Sequence, residues 1–88
     1  MADRLRLVVL TPERQLVDEM VLEVTAPGAY GQIGVLPNHA ALVTSLEPGI
    51  LSYKPAAQGG EKRLSIAGGF AEVRDDVMTV LATGGTAA

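Results

Sequence analysis

Apolar and polar residues alternate along most of this chain, and the alternation is broken every 6 to 12 residues by a turn signal. From Asp3 to Leu10, Leu5, Leu7 and Val9 share one face and Arg4 and Arg6 the other, where Val8 and Leu10 join them. Period two of this kind predicts a strand with one face buried. Thr11-Pro12-Glu13-Arg14 ends it in a loop or tight turn. Gln15 to Ala26 is the second extended run. Met20, Leu22 and Val24 fall on one face, with Glu19, Val21, Glu23 and Thr25 opposite, and a short reversal or a bulge is expected at Asp18-Glu19. A helix is the rival there, because Glu, Leu and Met favour one; period two and the β-branched Val21, Val24 and Thr25 favour the strand.

The stretch from Gly28 to Gly49, GAYGQIGVLPNHAALVTSLEPG, is dense in forced turns. Its glycines permit φ > 0 or close backbone approach, while Pro37 and Pro48 fix φ and remove donors. No helix of ordinary length fits between these stops. A turn is predicted at Pro27-Gly28, then short strands from Tyr30 to Leu36 and from Ala40 to Leu46, with a turn at Pro37-Asn38-His39. Ile50 to Lys54 is extended, and PAAQGGE (55–61) reads as an exposed hairpin loop. Lys62 to Ala67 places Leu64 and Ile66 on one face, and Gly68-Gly69 reads as a point where two strands pack closely. Phe70 to Arg74 and Val77 to Ala82 flank a hairpin turn at Asp75-Asp76. Thr83 to Ala88 has no side chain from which a core could be built and reads as a frayed tail. Eight to ten short strands in this rhythm predict a β-sandwich or small barrel.

Composition narrows what such a fold can do. At 88 residues the chain is one domain, and with 3% aromatics its core must be aliphatic. Without cysteine there is no disulfide, thiolate metal site or cysteine nucleophile. The net charge of −3 and the lack of any basic run argue against a nucleic-acid partner. No apolar run nears the roughly 20 residues of a membrane-spanning helix, and Arg6 with Thr11-Pro12 interrupts what would be a signal-peptide core.

Chemistry is scarce. A single histidine, His39, cannot build a multi-histidine metal cage and reads first as a polar turn residue. Ser45, Ser52 and Ser65 lack a nucleophile-elbow GxSxG, and Asp18-Glu19 and Asp75-Asp76 read as solvated turn pairs. GAYGQIG has the glycines of a phosphate loop without its GK[ST] end or a following helix. The surplus of apolar residues on second faces, among them Val8, Leu10, Val21, Val43, Val80 and Ala82, has two readings. Either two sheets curl and bury parts of both faces, or a partner covers one of them.

The segment GQIGVLPNHAALVTSLEPGIL, with IAGGFAEVRDDVMTVLA and the opening RLRLVVLTPERQLVDEMVLEVTAPGAYG, closely resembles the N-terminal domain of the epsilon subunit of F-type ATP synthases, over about residues 4 to 83. The resemblance implies an all-β fold, a ten-stranded β-sandwich (a flattened barrel) of two antiparallel sheets over residues 1–83, with a disordered tail at 84–88. It implies a non-catalytic rotor subunit of the central stalk, without metal or cofactor, that binds the gamma subunit and the c-ring and couples rotation to ATP synthesis. Tyr30, Gly31, Gln32 and Ile33 would form the loop facing the c-ring, and Thr11, His39, Leu42 and Thr44 would face gamma. The family often carries glutamate where Gln32 stands, so contact with a basic ring loop would here be neutral. The family usually continues into a C-terminal helical hairpin. With the sequence ending at Ala88, through truncation or natural brevity, neither inhibitory helices nor nucleotide binding is expected. The implied place is the cytoplasmic face of the bacterial inner membrane, peripheral and without insertion. The alternative class is a free-standing β-barrel carrier of a ligand or prosthetic group, which needs a lysine at a hairpin tip; Lys54 and Lys62 flank the 55–61 loop instead.

Overall fold

A computed structural model describes residues 2–57 and 59–88. Among them lie nine strands and no helix. In chain order these are β1 (Leu5–Leu10), β2 (Gln15–Gly28), β3 (Gly31–Val35), β4 (Leu42–Leu46) and β5 (Gly49–Pro55), then β6 (Lys62–Ile66), β7 (Gly69–Arg74), β8 (Val77–Ala82) and β9 (Gly85–Ala87). The fold is an all-β sandwich, with nine strands among the described residues where ten were expected.

The two layers share one strand. The first half of β2 pairs with β1, and the layer continues through β8 and β7 to β4. The second half of β2 lies between β3 and β5, and that layer continues through β6 to β9. A bridge from Gly28 to Leu46 brings β4 back to the end of β2, which flattens the whole into a barrel-like closure. Pairing is antiparallel with one exception: β1 and β8 run parallel. Both edges of β8 are thereby used, by β7 in a tight hairpin and by the first strand of the chain on the far side.

Alternation places the core largely as expected. Leu5, Leu7 and Val9 are fully buried, and Leu64, Ile66, Ala71, Val73, Met78 and Val80 join them. No polar or charged residue is buried among the described residues. The second strand departs from the expected face. Val17 and Val21 are buried in its first half, Val24 and Ala26 in its second, while Met20 and Leu22 are exposed at 41% and 38%. The cause is a bulge at Leu22, not at Asp18-Glu19: Val21 pairs with Pro55 but Glu23 with Lys54, so one extra residue sits on β2. A single inserted residue reverses which parity points inward, and here it coincides with the passage of β2 from one layer to the other.

The tail also differs. Gly85–Ala87 is a strand on the edge of β6, and the Ala67 and Ala88 N–H groups donate to the carbonyls of Gly84 (2.9 Å) and Arg63 (3.1 Å). Backbone hydrogen bonds hold it, for which small side chains suffice. The turns expected at Thr11–Arg14, Pro37-Asn38-His39 and Asp75-Asp76 form, whereas Pro27-Gly28, read as a turn, stays extended at the end of β2 and the chain reverses at Ala29-Tyr30. Asp75 and Asp76 both have positive φ, 51° and 59°, as a two-residue hairpin turn requires. Gly69 has φ +144°, and a β-carbon there would overlap the Leu81 carbonyl oxygen, so the close crossing inferred for Gly68-Gly69 is real. The 55–61 loop lies between β5 and β6, with Gln58 outside the described residues.

Candidate subunit-binding surfaces

The outer face of the first layer can be built row by row from the strand registers. Leu10, Leu81, Phe70 and Ser45 stand side by side across β1, β8, β7 and β4, and Val8, Thr79, Glu72 and Val43 form the next row. Alternation turns both rows away from the core. Val43 is 72% exposed, Phe70 60% and Leu81 54%. Phe70, the only phenylalanine, stands as a ridge between two shallow apolar grooves. One, of about 250 Å³, is bounded by Val43, Glu72 and Thr79; the other, of about 400 Å³, by Leu10, Thr11 and Pro12. Scattered exposed apolar residues are ordinary on any protein; a contiguous cluster on one sheet face marks an interaction site.

The four residues expected to face gamma do not form one cluster. Thr11 lines the second groove and locks the β1–β2 turn: its hydroxyl donates to the Arg14 carbonyl (3.0 Å) and accepts from the Arg14 N–H (3.2 Å). His39 lies in the β3–β4 loop, at the opposite end of this layer, roughly 20 Å away by strand rise. Its Nδ1 meets the Ala40 carbonyl at 2.7 Å, so that nitrogen carries the proton. Leu42 and Thr44 alternate with Val43 and are half-buried on the inward side, Leu42 packing against the core. Of the second-face apolar residues, Val8, Leu10 and Val43 lie on this face, whereas Val21, Val80 and Ala82 are buried in the core. Phe70 and Leu81 are the residues of this face that the sequence does not single out, because the turn-rich motif carries no signal for either.

The residues expected to face the c-ring are together. Ala29 and Tyr30 form the two-residue loop between β2 and β3, Tyr30 fully exposed at its tip. Gly31 follows with φ +124°, a conformation side-chain-bearing residues rarely adopt. Gln32 is exposed and Ile33 half-buried against the core. The Ala29 N–H donates to the Ser45 carbonyl at 3.1 Å, which ties the hairpin to the end of β4.

Charges lie beside the apolar rows. The Arg6 Nε and Nη2 each donate to one Asp18 oxygen at 2.8 Å. That hydrogen-bonded guanidinium holds the Asp18 carboxyl below the usual range. Burial raises the Tyr53 phenol, with Glu19 adding to the effect. Lys62, at the start of β6, pairs with Glu19 at 3.5 Å, and Lys54 lies within β5, so neither lysine occupies a hairpin tip. No three carboxylate or histidine side chains converge among the described residues.

Comparison with known proteins assigns the fold to a family. Residues 4–88 match the family model described as the ATP synthase delta/epsilon chain, beta-sandwich domain. The chain is 52% identical over 83 residues to the ATP synthase epsilon chain of Solibacter usitatus and 48% identical over 82 residues to that of Carboxydothermus hydrogenoformans. In both cases the match covers 93% of this chain and 60% of the relative, so the chain spans about three-fifths of their length. The mitochondrial ATP synthase of Euglena gracilis contains a chain that superposes with a TM-score of 0.90 at 28% identity, over 99% of this chain and 55% of that one. A chain in the central stalk and c-ring structure of the Tetrahymena thermophila enzyme shares the fold, with a TM-score of 0.77 at 17% identity over 92% of this chain and 64% of that one. On the match along nearly its whole length, this chain belongs to the beta-sandwich domain family of ATP synthase delta and epsilon chains.

Proposed function

We propose that this chain is a non-catalytic central-stalk element of a proton-translocating F-type ATP synthase, and that it couples rotation of the c-ring to the gamma subunit. The observation that carries the reading is the contiguous apolar outer face built on Val43, Phe70 and Leu81, bounded at one end by Thr11. Gamma is assigned to this face, with Phe70 at its centre, where a buried aromatic contributes most to binding. Leu42 and Thr44 support the face from behind, and His39 flanks its far end. The c-ring is assigned to the β2–β3 hairpin, where Tyr30 and Gln32 project and Gly31 sets the turn. Torque passes between the two surfaces through β4, to which the hairpin is hydrogen-bonded. The proposed location follows from those partners: the cytoplasmic face of a bacterial inner membrane, held there by protein contacts.

Phe70→Glu tests the reading. The side chain is outward, so the variant keeps its β-type circular dichroism. Binding to purified gamma, followed by calorimetry, should weaken at least about tenfold, as loss of a central aromatic does. Unchanged affinity in a folded variant would remove gamma from this face.

A further inference from the structure

The outer edge of β3 has a geometry that fits a second copy of itself. Pro27 has no N–H, and its carbonyl accepts from the Glu47 N–H at 2.8 Å, on the side away from β3. Its partner in the ladder, Gln32, therefore belongs to a pair not hydrogen-bonded to β2, and its own N–H and C=O turn outward. Two residues on, Gly34 does the same. β3 has β2 as its only strand neighbour among the described residues, so these four groups have no strand to bond. Natural edges are usually protected by charge, proline, a bulge or shortness. The β3 run GQIGV has no charge and no proline, and its register with β2 is unbroken. The other free edge of this layer, β9, is only three residues long.

We propose that two copies of this chain pair antiparallel along β3, about a two-fold axis at Ile33, and join their second layers into one continuous sheet. Around that axis Gln32 of one copy meets Gly34 of the other, twice, and each pair can exchange both backbone hydrogen bonds. A long side chain then stands opposite a residue that has none, and a β-carbon at Gly34 would meet nothing within 4 Å. The same axis sets Tyr30 against Leu36, two exposed apolar residues at the ends of the edge. No charge lies between Tyr30 and Pro37, so the chain's net charge of −3 is not concentrated where the copies meet. A five-residue edge gives a small contact, so the dimer is weak and is populated at high concentration. Pairing covers Gln32 and Tyr30; that it would exclude docking on the c-ring rests on the function proposed above, whereas the pairing itself does not.

Sedimentation equilibrium from about 10 µM to about 1 mM, the range suited to a small interface, tests this on the chain as it stands. The native sequence should show mass rising toward the dimer with concentration. Gln32→Pro removes an outward N–H that β2 does not use, and Gly34→Lys places charge on the open edge; each should weaken the dimer at least about tenfold with its circular dichroism unchanged. If one variant fails to fold, the other still decides. A monomer at every concentration overturns the proposal, and so does a dimer that survives both edge substitutions. A dimer lost only in Phe70→Ser would move the association to the opposite face and overturn it equally.

Discussion

Leu42 and Val43 are neighbours on β4 that face opposite sides of the sandwich wall. Leu42 packs against the core, and Val43 is exposed on the apolar outer face. The two should therefore fail differently. Leu42→Ala should lower stability by about 1–2 kcal/mol, less than for a fully buried leucine, and leave gamma affinity nearly unchanged. Val43→Asp should leave the denaturation midpoint within error and weaken gamma binding. Urea melts and calorimetry on both variants check the pair, and the reverse pattern would mean that β4 presents its other parity to the partner.

Gly69 has no room for a side chain. Its φ of +144° disfavours any other residue, and a β-carbon would overlap the Leu81 carbonyl across the β7–β8 ladder. Gly69→Ala should cost at least about 2 kcal/mol in a urea melt, through backbone strain and a displaced strand. Gly34→Ala, where φ is not positive and nothing lies nearby, should be close to neutral and serves as the control.

The Arg6–Asp18 pair predicts a pH dependence with a definite sign. Asp18 titrates below its ordinary value of 3.8 in the folded chain because Arg6 hydrogen-bonds its charged form. Its contribution is thus present above the unfolded value and is lost as pH falls through the lower, folded one. Both side chains are solvated, so the effect is small. Asp18→Asn should melt at a slightly lower temperature than the native chain at pH 7, and the gap should close toward pH 2. A gap that widened on acidification would refute the assignment.

One hydroxyl braces the β1–β2 turn beside the backbone bond from the Thr11 N–H to the Arg14 carbonyl. Thr11 both donates to and accepts from the Arg14 backbone. Thr11→Ala removes these bonds from an exposed turn and should destabilise by about 1 kcal/mol, while Thr11→Ser should retain most of that. Because Thr11 also borders the groove beside Phe70, the alanine variant separates turn stability from gamma affinity when both are measured.

The pattern of the sequence determined the class of fold and much of its core. Period two placed Leu5, Leu7 and Val9, and later Leu64 and Ile66, inside, because a pleated strand can bury only one parity. The turn residues at Thr11–Arg14 and Asp75-Asp76 set where strands reverse, since their conformations are local. The spacing of glycines, prolines and His39 was specific enough to indicate the family. Three features needed the tertiary structure. The inward face of β2 turned on a one-residue bulge at Leu22, which exists only in register with Pro55 and Lys54 of β5. The last strand formed from Gly85, Thr86 and Ala87 because β6 offered an open edge, not because the three residues have a pattern of their own. The apolar face at Val43, Phe70 and Leu81 emerged only when β4, β7 and β8 were laid side by side. In each case local chemistry was indifferent, and the choice lay with a neighbouring strand far along the chain.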